Sequence, residues 1–241
     1  MNKESDQIEL LKKIKSLFEK NNIEFWLDTG TLLGAVREKR FIPWDTDLDL
    51  GTWTYNLSKI KKIFEENKHD EFEIAYFDLE KNIDILHKEY KVDINLYESK
   101  NNKAVRTWYV NNKIGSFLDY FRWIFIVDNI SFKKSSAPRT ITVGLSKIRK
   151  MIPKRLTHFV NKVIGLIYLK IGCIKVDIAI PKKYFEKLVD MDFLGTKFKV
   201  PEETEEYLEL RYGKNWRTPN KNYVYYKDDG AIIRKKQKST H

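Results

Sequence analysis

Asp28-Thr-Gly-Thr-Leu-Leu-Gly-Ala-Val-Arg37, followed after four residues by Ile42-Pro-Trp-Asp-Thr-Asp-Leu-Asp-Leu-Gly51, is the stretch that decides the fold. A turn of small residues opens one segment, and Asp45, Asp47 and Asp49 recur at every second position of the next. That spacing sets side chains on one face of a strand. Leu48 and Leu50 fall between the acids and point to the opposite face, toward a core. Two adjacent carboxylates repel, so a positive partner is expected beside Asp47 and Asp49. Oxygen-only ligation suits Mg²⁺ or Mn²⁺ better than Zn²⁺. A calcium-binding helix-loop-helix is excluded, because its sixth and twelfth positions hold Leu50 and Asn56 instead of Gly and Glu. A solvated acidic turn before a strand is the plain structural alternative.

Working outward, Ile8, Leu11, Ile14 and Phe18 recur at helical spacing and predict an amphipathic helix over 5–21. Ile23 to Leu27 reads as a short strand that stops at Asp28-Thr29-Gly30, where a turn hands over to a helix from Thr31 to about Arg40. Phosphate would meet that helix at its N-terminus, where amides and dipole favour anions. Asp28 is positioned to cap it. Asp47 to Trp53 forms the next strand, a helix follows from Leu57, and strands are predicted at Phe72–Phe77, Ile83–His87 and Lys91–Tyr97. In the last, Val92, Ile94 and Leu96 alternate with Asp93, so Asp93 can join Asp47 and Asp49 if the two strands are neighbours.

The region from Asn101 to Ile180 reads as mostly helical, with a basic stretch, Lys147 to Arg155, and an amphipathic Leu156 to Ile174 suited to a membrane surface. A helix is expected over 181–191 and another from Glu202 to Tyr212, ended by Gly213. The division expected is one domain over 1–230 and a basic, disordered tail over 231–241.

With 42% hydrophobic residues in 241, the chain can build a substantial core. A net charge of +11 favours anionic partners. Cys173, the single cysteine, excludes an intrachain disulfide and a cysteine-rich zinc site. The polar N-terminus lacks a secretory pattern, and no apolar run approaches the roughly 20 residues of a spanning helix. A cytoplasmic protein, peripheral at the inner face of the membrane, is expected. No RNA-binding module is recognisable, and nucleic acid is not expected as a partner.

The Gly-Thr turn opening a helix, the Asp-x-Asp strand and a third acid in a later strand together resemble the nucleotidyltransferase superfamily. The register of Thr-Leu-Leu-Gly, Val-Arg and Ile-Pro-Trp-Asp narrows this to a resemblance to the LicD family, relatives of fukutin and fukutin-related protein. Lys199-Val-Pro201, Tyr207-Leu and Arg211-Tyr-Gly-Lys-Asn-Trp216-Arg-Thr-Pro219 resemble that family's closing motif. The resemblance implies an α/β fold with a mixed sheet flanked by helices and an additional helical region in the second half. It also implies transfer of a phospho-alcohol group, phosphocholine or a polyol phosphate, from a CDP-activated donor to a glycan or lipid-linked glycan acceptor. Lipopolysaccharide, teichoic acid or capsule biosynthesis would be the setting. Asp47, Asp49 and Asp93 would be the catalytic and metal-binding acids, and Gly30, Thr31, Gly34 and Arg37 would bind the donor phosphates. Asp45, Asp28 and Arg211 would support them. Competing readings are a nucleotidyltransferase that releases pyrophosphate and an inactive binding or scaffold protein.

Overall fold

The computed structural model describes residues 3–66, 72–77, 82–87, 90–118 and 153–233. Helix α1 (Lys3–Lys20) buries Ile8, Leu11, Ile14 and Phe18, the apolar stripe expected from the sequence, and Leu10 beside them. It leads into strand β1 (Phe25–Leu27), helix α2 (Thr29–Arg37) and strand β2 (Asp47–Trp53). Helix α3 (Leu57–Glu66), strands β3 (Glu73–Phe77) and β4 (Asn82–His87) and the long strand β5 (Tyr90–Lys100) follow.

These strands make one mixed sheet in the order β1-β2-β5-β4-β3. β2 and β5 run parallel, because α3 and the β3–β4 hairpin carry the chain back between them, and the other pairs are antiparallel. The alternation pays out as expected: Leu48, Leu50, Val92 and Ile94 are buried, while Asp47, Asp49 and Asp93 share the opposite face. Trp26, Tyr97 and Phe185 stack in the core, with ring centroids 4.6–5.8 Å apart.

The expectation of a mostly helical region after Asn101 holds for 113–118 and 154–172 but missed a pair of strands. Strand β6 (Lys103–Asn111) folds back on the end of β5, and β7 (Cys173–Pro181) pairs with β6 along its whole length. The hinge is Asn101-Asn102, both at positive φ, a two-residue hairpin turn of the kind Asn favours. Helix α4 (Lys154–Ile167) continues into a π-helical turn, Tyr168–Gly172. Residues 119–152 of the expected region, Lys147 to Ile152 among them, lie outside the described residues.

The helix expected over 181–191 is also corrected. Only the short helix α5 (Lys183–Glu186) forms, and strands β8 (Leu188–Phe193) and β9 (Thr196–Pro201) make a separate hairpin. Leu194 and Gly195, both at positive φ, turn the chain there. Helix α6 (Thr204–Tyr212) ends at Gly213, whose amide bonds the Glu209 carbonyl at 2.8 Å. After helix α7 (Tyr225–Asp228), Ala231 and Ile233 bond the backbone of β7, so the chain stays attached through Ile233. Residues 234–241 of the expected tail lie outside the described residues.

Candidate functional site

The acidic face of β2 and β5 opens into a cleft of 1310 Å³. Parallel pairing sets Asp49 opposite Asp93 and Asp47 opposite Lys91. The first turn of α2 lies above them, with Thr29 and Gly30 lining the cleft. Gly30 allows a close approach: a Cβ there would stand 2.2 Å from Asp45 Oδ2 and 3.5 Å from Asp49 Oδ2. Asp45 and Asp49 therefore converge on the helix start. Thr29 holds a left-handed φ of 37° at this corner, an unusual conformation for a β-branched residue.

The electrostatics follow from this crowding. Burial, then the charges of Asp93 and Asp45, push the Asp49 carboxyl well above the usual carboxylate range. Asp45 is raised as well, chiefly by burial and by Asp47 and Asp93, against the backbone N–H groups of Asp47 and Thr46. Lys91 meets part of this negative charge. Its Nζ lies 2.6 and 2.8 Å from the two oxygens of Asp93 and 3.3 Å from Asp47 Oδ2. Burial acts to lower the Lys91 pKa, but Asp93, Asp84 and Asp47 together hold it above the ordinary lysine value.

Two members of this cluster escaped the sequence reading. Lys91 begins a strand already assigned, and its place beside Asp47 depends on the β2–β5 register. Asp84 is buried on β4 in register with Asp93. The signal for it was the alternation already used for Asp93, an acid between Ile83 and Ile85.

Asp28 does not cap α2. It occupies the N-cap position, but its side chain makes no capping bond. The carboxylate turns inward and accepts hydrogen bonds from Asn95 Nδ2 (2.8 Å), Tyr97 OH (2.8 Å) and Tyr207 OH (2.6 Å). A carboxylate with no solvent exposure needs such donors. Arg211 belongs to the same buried network, bonding Tyr207 OH and Asp229 Oδ2, each at 2.6 Å, with Asp28 Oδ1 3.7 Å away. Arg211 thus stands behind the cleft and supports the floor on which the acids sit. Asn95 joins the two layers, since its amide also approaches Asp49 Oδ1 at 3.5 Å.

The expected phosphate-binding residues separate. Gly30 and Arg37 line the cleft. Thr31 is buried, and its hydroxyl accepts the Asp49 amide at 2.8 Å, which ties α2 to β2. Gly34 faces the following loop, where a Cβ would stand 2.7 Å from the Arg40 carbonyl. Arg37 bonds Glu38 at 2.9 Å and the Trp216 carbonyl at 3.2 Å, drawing the closing motif to the rim. Trp216 itself is buried. Trp44 is 42% exposed at the cleft, with Lys221 Nζ 4.9 Å from its ring centre.

The sequence model of the LicD/FKTN/FKRP nucleotidyltransferase domain matches residues 22–155, more than half of the chain and the whole of α2, β2 and β5. The chain belongs to the LicD family. The lipopolysaccharide cholinephosphotransferase LicD of Haemophilus influenzae (strain ATCC 51907 / DSM 11121 / KW20 / Rd) is 23% identical over 248 residues, covering 88% of this chain and 89% of that protein. An uncharacterized protein of Rickettsia prowazekii (strain Madrid E) is 33% identical over 99 residues, 41% of this LicD-family chain. The match spans only 36% of that relative's length. Among solved structures, the lincomycin-bound lincosamide antibiotic adenylyltransferase LnuA aligns with a TM-score of 0.40 at 11% identity, covering 82% of each chain.

Among the described residues no three of His, Cys, Asp and Glu form a ready-made metal cage. The acids fit a divalent ion by their chemistry instead. The donors are carboxylate oxygens alone, and Asp45 and Asp49 converge over Gly30.

Proposed function

We propose that this LicD-family protein is a metal-dependent phosphotransferase. It moves a phospho-alcohol group, of the phosphocholine or polyol phosphate type, from a CDP-activated donor to a hydroxyl of a cell-surface glycan or glycolipid, releasing CMP. The observation that carries this reading is the meeting of Asp49 and Asp93 on paired strands beneath the start of α2, inside a cleft with room for both substrates. Lipopolysaccharide is the acceptor named for the Haemophilus relative, and an acceptor of that class is proposed here.

In the reaction, the acceptor oxygen forms a bond to the phosphorus that bears the alcohol. The bond from that phosphorus to the bridging oxygen breaks, and CMP leaves with that oxygen. The acceptor proton passes to a cleft carboxylate, with Asp93 assigned the role. Asp47, Asp49 and Asp93 would hold Mg²⁺ or Mn²⁺, which when bound would supply positive charge to the donor diphosphate. Backbone N–H groups at Thr29 and Gly30 offer donors to phosphate at an N-terminus that Asp28 leaves uncapped. Lys91 and Arg37 add positive charge along the same wall. Asp28, Tyr207 and Arg211 act only through the floor they hold in place.

The test incubates the purified protein and Mg²⁺ with a panel of CDP-alcohols, NTPs and glycan acceptors. CMP release that depends on the acceptor is the expected result. Pyrophosphate release from an NTP would overturn the reading in favour of nucleotidyl transfer. An Asp47→Asn variant with full activity would remove Asp47 from the metal set.

A further inference from the structure

Helix α4 is inside out. Leu156, Phe159, Val163, Leu166 and Ile167 lie along one helical face, at the spacing that ordinarily packs into a core. Here that face is outward: Leu156 is 50% exposed, Phe159 63% and Leu166 54%. The buried side carries Thr157 and Gly165 instead. The stripe continues through the π-helical turn with Ile171 and on to Ile174 at the start of β7, 49% and 61% exposed. An apolar stripe of this length, held in water by a folded domain, marks an interaction surface.

Charge identifies the partner. Between Asp128 and Asp177 the sequence contains eleven lysines and arginines and no acid. The chain's net charge is +11, so this segment holds all of it and the rest of the chain is balanced, with 34 basic and 34 acidic residues. On the described part, Arg155, Lys162 and Lys170 are exposed among the apolar residues, while Lys175, at the end of the segment, pairs with Asp177 at 3.3 Å. Exposed leucine, isoleucine and phenylalanine interleaved with lysine, and free of acids, match the headgroup and acyl boundary of an anionic bilayer. Against a second copy of the same face, the like charges would repel.

We infer that α4 and the turn after it dock this protein on an anionic lipid bilayer. The same segment reaches the cleft. Tyr168 and Lys175 line it, and the Tyr168 hydroxyl donates to Asn111 Oδ1 on β6 at 2.5 Å. Docking by this face brings the cleft beside the membrane, where a lipid-linked acceptor would lie. The inference goes beyond the chemistry proposed above and is read independently of it.

The experiment is sedimentation of the full chain with phosphatidylcholine vesicles, with and without phosphatidylglycerol. Wild-type protein is expected to bind the anionic vesicles at least about tenfold more tightly, and to release as salt is raised. Phe159→Ser combined with Leu166→Ser, and separately Lys162→Glu combined with Lys170→Glu, are each expected to weaken binding by on the order of tenfold or more. All four side chains are exposed, so thermal melting should be unchanged and would expose a variant that merely misfolds. Three results overturn the inference. These are no binding to anionic vesicles, equal binding by wild type and the folded variants, and self-association that the serine variant abolishes while vesicle binding is unaffected. The last result assigns the face to a second copy.

Discussion

The Tyr207 hydroxyl donates a 2.6 Å hydrogen bond to Asp28 Oδ1 across 179 residues of sequence. This bond joins the closing block of the chain to its opening block. Asp28 immediately precedes the helix that faces the cleft, and Tyr207 and Arg211 fix its carboxylate from behind.

Tyr207→Phe removes the donor to Asp28 and the acceptor for Arg211, and is expected to cost about 1–3 kcal/mol. Arg211→Met leaves Asp28 and Asp229 buried without their cation, at a cost of about 3–5 kcal/mol. Urea unfolding measures both. A Tyr207→Phe protein with wild-type stability would show that the network does not hold the floor.

The same network predicts a direction with pH. Burial pushes the Tyr97 and Tyr207 hydroxyls above their ordinary value of 10, and the charge of Asp28 adds to this. The folded state therefore holds these protons more tightly than the unfolded chain does. Their contribution is fully present below pH 10 and is lost as pH rises from there toward the folded-state values. Thermal melts should show Tm falling above pH 10, and the fall should be shallower in Tyr207→Phe.

Asp49→Asn and Asp93→Asn are each expected to slow CMP release on the order of a thousandfold. Stability should move differently. Burial, and then Asp93 and Asp45, disfavour the Asp49 charge, so Asp49→Asn should be as stable as the wild type or more stable, by up to about 2 kcal/mol. Mg²⁺ or Mn²⁺ at ten times its Kd should stabilise the wild type by about 1.4 kcal/mol, and Asp49→Asn should lose that gain. Calorimetric melts with and without the ion measure both effects.

The two glycines of α2 should fail in different ways. A Cβ at Gly30 meets the Asp45 carboxylate, which can rotate away, so Gly30→Ala should fold but displace an acid from the site. A loss in kcat on the order of a hundredfold is expected. A Cβ at Gly34 meets the backbone at Arg40 and Ile42, which can move only by distorting the loop. Gly34→Ala should cost about 1–3 kcal/mol of stability, with a smaller effect on rate. Paired kinetics and melting curves distinguish them.

Much of this was legible because the signals are local. The period of two in Asp47-Leu-Asp-Leu and in Val92-Asp-Ile-Asn-Leu determined which side chains share a face, and the stripe of α1 determined its buried side. Family membership was legible in the same way, from contiguous motifs. The β6–β7 pair is not legible locally, because its partners lie about 70 residues apart and no short turn joins them. The helix expected over 181–191 failed for a similar reason: Leu194-Gly195 makes a hairpin whose pairing energy outweighs local helix propensity.

What the sequence by itself determined is the set of acids on polar strand faces and the small-residue helix start that meets them, since backbone geometry alone imposes both. Only the tertiary structure decided which groups meet. The parallel register of β2 and β5 set Asp49 against Asp93 and brought Lys91 to Asp47. Burial turned Asp28 from a helix cap into the centre of a network, because a carboxylate cut off from water takes the nearest donors, and those come from β5 and α6.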